Sequence, residues 1–111
     1  MAHHYLDKSL TYNRWDRSYQ PRLRIESGDT VTIEMNDASD GQLTKESTAV
    51  DWGKADKMKV HGLTGPIEIA GSTKGDQLKI DIIEYEHENW AWTSIIPGLG
   101  LLDDEFYKVF L

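Results

Sequence analysis

Few residues in this chain can do chemistry, and two of them stand where the backbone can aim them. His61 opens the run His61-Gly62-Leu63-Thr64-Gly65-Pro66, at the mouth of a short alternating strand that can hold an imidazole rigidly. Asp37 closes an earlier alternating stretch, at the lip of a long acidic loop. An imidazole and a carboxylate meeting at two strand ends can share a divalent metal ion, or can activate a water molecule by taking its proton. Each also has a plainer use. A loop histidine satisfies a backbone carbonyl, and an aspartate after a strand caps a turn. Other nucleophiles lack support. The chain has no cysteine, which removes thiolate nucleophiles, thiolate zinc sites and disulfides together. Ser39, Ser47, Ser72 and Ser94 sit in no local motif resembling a nucleophile elbow or a Ser-Lys arrangement.

The remaining polar and aromatic candidates have bland readings. His3 and His4 form an exposed pair with no third ligand nearby in sequence. Glu34 falls on the polar, solvated face of its strand, and His87 between Glu86 and Glu88 reads as a surface charge cluster. Trp15 is expected to anchor packing. Trp90 and Trp92 share a face if their strand persists, and would serve packing or an aromatic wall.

The positioning elements follow from period-two alternation. Leu23 and Ile25 alternate with Arg22, Arg24 and Glu26; Ser27-Gly28-Asp29 turns; Val31, Ile33 and Met35 then alternate with Thr30, Thr32 and Glu34. This predicts two half-buried strands joined as a hairpin. A second hairpin is expected from Ile67–Ala70, the connector Gly71-Ser72-Thr73-Lys74-Gly75-Asp76, and a longer alternation from Gln77 to Ile83. The two turns echo each other as Gly-Asp followed by alternating apolar residues. Residues 36–59 read as a long, solvated excursion rich in Asp and Gly. Residues 95–102 form an apolar, glycine-rich loop that needs cover, and Asp103-Asp104-Glu105 could start a helix. The expectation is an all-β, antiparallel β-sandwich or jelly-roll-like domain with long loops and little helix.

At 111 residues the chain is read as a single β domain, 1–111, with a core of moderate size. A net charge of -7, with 12 basic residues scattered among 19 acidic ones, argues against nucleic acid and anionic membranes. The N-terminus lacks the basic and apolar regions of a signal peptide, and no apolar run approaches a membrane helix. The expected location is the cytoplasm.

Several short motifs recur in a fixed order. Asn13-Arg14-Trp15 is followed by Pro21 and Ser27-Gly28-Asp29-Thr30-Val31; then come Glu34 with Asp37, Asp40-Gly41-Gln42, and His61-Gly62-Leu63-Thr64-Gly65-Pro66. Gly71, Gly75-Asp76-Gln77-Leu78, Pro97-Gly98, Gly100-Leu101-Leu102 and Phe106 complete the set. In that order and spacing they resemble the N-terminal part of the acetamidase/formamidase family. Ala70-Gly71-Ser72-Thr73-Lys74 departs from it, since the family more often has an acidic residue there.

The resemblance implies a mainly β fold and hydrolysis of formamide, acetamide or a related short amide to carboxylate and ammonia. Amides resist hydrolysis, so the reaction needs a strong nucleophile, a polarised carbonyl and a proton for the leaving nitrogen. With no cysteine, a metal-bound or base-activated water is the simplest route. Asp37 and His61 are then the catalytic pair and the ligands of a divalent ion, zinc first, calcium or magnesium as alternatives. Gln42 and Ser47 line the substrate site by the same resemblance. The chain is well under half of a typical family member, so the implied partner is a chain carrying the C-terminal half, or further copies in a homo-oligomer. The competing reading is a non-catalytic β-sandwich module for ligand binding or assembly.

Overall fold

β-Branched residues and alternation make strands here, but the strands are short and find distant partners. The computed structural model describes residues 1–111. In chain order it has β1 (His3–Leu6), β2 (Thr11–Tyr12), β3 (Leu23–Ile25), β4 (Thr30–Ile33), a six-residue helix α1 (Ala49–Lys54), a 3-10 turn (Lys57–Lys59), β5 (Leu63–Thr64) and β6 (Ile67–Ile69). They form three two-stranded ladders. β1 runs parallel to β4, with His3 opposite Thr30 and Leu6 opposite Ile33. β3 runs parallel to β6, with Leu23 opposite Ile67. β2 and β5 pair antiparallel, Thr11 opposite Thr64.

The molecule is therefore mainly β and largely non-helical, as expected, but the predicted hairpins do not close. The turn at Glu26–Asp29 is present: Asp29 N–H donates to the Glu26 carbonyl at 3.1 Å, and the Asp29 carboxylate accepts the Glu26 N–H at 2.9 Å. Gly28 takes φ 91° there, a conformation glycine adopts without steric cost. Instead of folding β3 onto β4, this turn is a corner at which the chain leaves one ladder for another. Two of the three pairings are parallel, so the antiparallel expectation holds only for β2 and β5. Residues 77–83 alternate as predicted yet pair with nothing, and residues 103–105 form turns in place of a helix.

Side chains explain why β1 chooses β4. Asp29 accepts from the Ala2 N–H at 2.8 Å and contacts His4 Nε2 at 2.8 Å, and its side chain is only 6% exposed. His3 Nε2 meets Thr32 Oγ1 at 2.7 Å. Glu34, expected to face solvent idly, accepts from the Tyr5 hydroxyl and from the Lys8 N–H. The histidine pair thus clamps β1 rather than standing free.

The excursion at 36–59 also gains structure. Thr48 caps α1, its N–H donating to Asp51 Oδ2 at 2.7 Å, which satisfies a first-turn donor and keeps negative charge at the helix start. α1 buries Trp52, and with Leu6 and Leu43 this is the buried hydrophobic core. The expected moderate core is therefore small. A radius of gyration of 17.6 Å compares with roughly 13 Å for a compact chain of this length. Extents of 50 × 31 × 23 Å show the same elongation, and most large apolar side chains after residue 77 are exposed.

Candidate functional site

Two loops built by different rules meet at one point. The first is the turn Asn36–Gln42, organised by Asp37. Asp37 Oδ2 accepts the Ser39 N–H at 3.1 Å and the Ser39 hydroxyl at 2.7 Å, and Oδ1 accepts the Gly41 N–H at 2.9 Å. An aspartate bonding the backbone two residues on makes an Asx-turn. Ser39 is 0% exposed, and its hydroxyl oxygen accepts the Leu43 N–H at 3.1 Å, so the turn is fixed from within. A further donor comes from far along the chain: Trp92 Nε1–H donates to Asp37 Oδ2 at 2.7 Å. Burial raises the Asp37 pKa, but the bonds from Ser39, Trp92 and Gly41 outweigh it and hold the carboxyl below its ordinary value.

The second loop begins at His61. Its N–H donates to the Ala38 carbonyl at 2.7 Å, one residue from Asp37. His61 takes φ 58° and Asp40 takes φ 57°. These are the two non-glycine residues in the left-handed region, and they lie on the two touching loops. Strained backbone of this kind survives when its surroundings over-determine it, and it clusters at functional sites. Asp40 is held by the Thr11 hydroxyl at 3.0 Å and by Asn36 Nδ2 at 3.0 Å. Its carboxylate fills the space where Gly62 lacks a side chain; a Cβ there would come 2.6 Å from Asp40 Cγ. The antiparallel β2–β5 pair anchors both sides, since Thr11 lies opposite Thr64 and the Thr64 hydroxyl donates to the Glu34 carbonyl at 2.7 Å. The His61 side chain is exposed.

The structure thus brings Asp37 and His61 to one place, joined through the Ala38 carbonyl rather than side chain to side chain. Gln42 and Ser47 are committed within the loop. Gln42 Nε2 donates to the carbonyls of Ser39 (2.9 Å) and Asp56 (3.0 Å), and Oε1 accepts the Asp56 N–H at 2.7 Å. Ser47 Oγ accepts the Thr44 N–H at 2.8 Å. No group of three or more His, Asp or Glu side chains is placed to hold a metal ion. The residues present do not make a metal centre on their own.

Aromatic residues back the site. The Trp92 ring lies 5.2 Å from that of Trp52, tilted 48°, and the Lys57 ammonium sits 3.6 Å over the Trp52 ring, a cation–π contact. Trp92 is half-buried in the wall behind Asp37. Trp15, expected to anchor packing, is 94% exposed. It borders an open cleft of about 350 Å³ with Arg14, Asp16, Gly65 and the stacked pair Tyr12–Tyr19, whose rings lie 4.0 Å apart.

The sequence did not single out Asp40, Ser39 or Trp52 as site-builders, and marked Trp92 for packing or an aromatic wall without its bond to Asp37. Asp37 and Ser39 at spacing two carried a legible turn signal; the Trp92 bond spans 55 positions and carried none.

A mainly β chain whose ordered motifs converge on one polar junction defines the class. Comparison with known proteins names it: the chain belongs to the Acetamidase/Formamidase family, whose match covers residues 2–110. A Schizosaccharomyces pombe protein provisionally named a formamidase is 33% identical over 103 residues, covering 87% of this chain and 25% of its own length. The formamidase of Methylophilus methylotrophus is 29% identical over 101 residues, 86% of this chain and 25% of that protein. The acetamidase of Mycolicibacterium smegmatis is 28% identical over 108 residues, 86% and 27% respectively. The chain spans about a quarter of the length of these relatives. No solved structure matches it significantly.

Proposed function

We propose that this chain forms one wall of an amide hydrolase site that turns a short amide, such as formamide or acetamide, into its carboxylate and ammonia, with the opposite wall supplied from outside these residues. The observation that carries this reading is the junction of two family-matched motifs. The His61 N–H on the Ala38 carbonyl and Asp40 seated against Gly62 lock His61 into a strained conformation with its imidazole exposed.

In this reading His61 is the catalytic residue. Its imidazole takes a proton from the attacking water and returns one to the leaving nitrogen, which general acid–base catalysis requires near neutral pH. Asp37 stays ionised, held by Ser39, Gly41 and Trp92, and positions the Ala38 carbonyl that sets His61. Gln42 and Ser47 shape the loop bordering the substrate. A divalent ion, whether zinc, calcium or magnesium, enters this proposal only with ligands from beyond this chain; Asp37 Oδ1 and the His61 ring are the atoms this chain could offer. A cytoplasmic location belongs to the same proposal; no helix is long and apolar enough to cross a membrane.

The test is ammonia release from formamide and acetamide by the chain assembled with a polypeptide carrying the rest of the family fold. Absence of release from a folded assembly would remove the assignment.

A second reading, a non-catalytic binding module, draws on the cleft beside Trp15, whose exposed indole and neighbouring tyrosines suit a flat or apolar ligand. Ready quenching of Trp15 fluorescence that a ligand relieves would favour it; quenching insensitive to any candidate ligand would set it aside.

A further inference from the structure

The turn at Thr73–Asp76 repeats the turn at Glu26–Asp29 bond for bond. In each, the aspartate N–H donates to the carbonyl three residues back at 3.1 Å. The aspartate carboxylate accepts the N–H of that same residue, at 2.9 Å for Asp29 and 2.8 Å for Asp76. Gly28 and Gly75 take φ 91° and 100°. The first turn feeds β4, which finds β1. The second feeds Gln77-Leu78-Lys79-Ile80-Asp81-Ile82-Ile83, which has the same alternation and no partner. None of its backbone groups takes part in a backbone hydrogen bond, and Leu78, Ile80, Ile82 and Ile83 are all exposed. Lys79 and Asp81 form an ion pair at 3.3 Å, joining residues at the spacing an extended chain places on one face. The segment therefore presents an apolar face of Leu78, Ile80 and Ile82, a charged face, and a row of free donors and acceptors. Such an edge templates another strand.

Charge selects the occupant. Antiparallel pairing of the segment with itself about Ile80 sets Lys79 opposite Asp81 twice, Leu78 opposite Ile82 twice, and Ile80 opposite its own copy. Opposite charges and apolar pairs across a ladder are both favourable. A shift of one residue opposes apolar and charged faces. A shift of two sets Lys79 against Lys79 or Asp81 against Asp81, and parallel in-register pairing does both. Gln77 then faces Ile83, and the pair beyond it, Asp76 with Glu84, is like-charged, with Asp76 already held in its turn, so the ladder ends there. We infer that residues 77–83 are a dimerisation strand, pairing antiparallel about Ile80 with the same segment of a second copy of this chain. The pairing does not rest on the amidase reading.

Analytical ultracentrifugation between about 1 and 100 μM tests it, on the wild-type chain, on Lys79→Glu, and on Lys79→Asp combined with Asp81→Lys, each matched by circular dichroism. The expected result is a concentration-dependent wild-type dimer, a dissociation constant raised roughly tenfold or more in Lys79→Glu, and recovery in the charge-swapped double variant. Faster exchange of the residue 78–82 amides in Lys79→Glu should accompany the loss. A wild-type chain that stays monomeric, as it would if another part of the family fold takes this edge, overturns the proposal. So does a dimer that Lys79→Glu leaves unchanged, or one the double variant fails to restore.

Discussion

Asp37 accepts hydrogen bonds from Ser39, Gly41 and Trp92, and each donor it loses leaves a half-buried charge less compensated. Trp92→Phe keeps the ring against Trp52 and removes only the indole N–H. It should cost about 1.5–3 kcal/mol in urea unfolding, the usual worth of a hydrogen bond to a charged group. An unchanged midpoint would show that the Asp37 turn stands without Trp92. At His61 the expectation has the opposite sign. Glycine accepts φ 58° without strain, so His61→Gly should raise stability by roughly 1 kcal/mol while abolishing the proposed amide hydrolysis by the assembled protein. A destabilised His61→Gly protein would mean the imidazole is held by packing. The candidate pair was legible in the sequence because each residue sits at a strand end. Asp40 and Trp92 were not, because their roles depend on Gly62 and Asp37 arriving from elsewhere in the chain.

At the scale of the elements, the turn at Glu26–Asp29 ties β1 to β4. The N–H groups of Glu26 and Ala2, with His4, hold the Asp29 carboxyl well below its ordinary value of 3.8. The N–H and hydroxyl of Ser9 with Arg22 likewise bring Asp7 to about 2. For a group whose folded pKa is depressed, the unfolded chain binds more protons as pH falls below the ordinary value. The stabilisation is therefore present above about pH 4 and is lost on acidification through the folded value. Asp29→Asn should weaken the protein at neutral pH, with the deficit against wild type shrinking as pH falls toward about 2. A deficit constant across that range would assign the role of Asp29 to shape alone. Alternation revealed β3, β4 and β6 correctly, since period two needs only local sequence. It could not reveal partners. β4 pairs with residues 27 positions upstream, and nothing in Leu23-Arg24-Ile25 distinguishes a hairpin neighbour from β6. α1 escaped notice because it is one and a half turns long and rests on Thr48 and Asp51, where its helical periodicity is too brief to show.

The whole molecule is elongated and thinly cored, with Leu6, Leu43 and Trp52 as its buried hydrophobic residues. The family relatives are about four times as long as this chain. Leu99, Leu101, Leu102, Phe106 and Phe110 are all exposed, and clustered apolar side chains of this kind mark surfaces that contacts with other elements cover. The assembled protein should therefore bind much less of a hydrophobic dye than this chain alone, and equal binding would show that the surface stays open. We propose that His61, locked by Ala38 and Asp40, serves as the proton-transfer group when the assembled protein hydrolyses a short amide. The most direct measurement is ammonia release from formamide and acetamide by assemblies of equal size and metal content carrying wild-type chain or His61→Ala. Release by wild type and a loss of roughly 10²–10⁴-fold in His61→Ala are expected. Equal rates from the two, or none from a properly assembled wild type, would contradict the proposal.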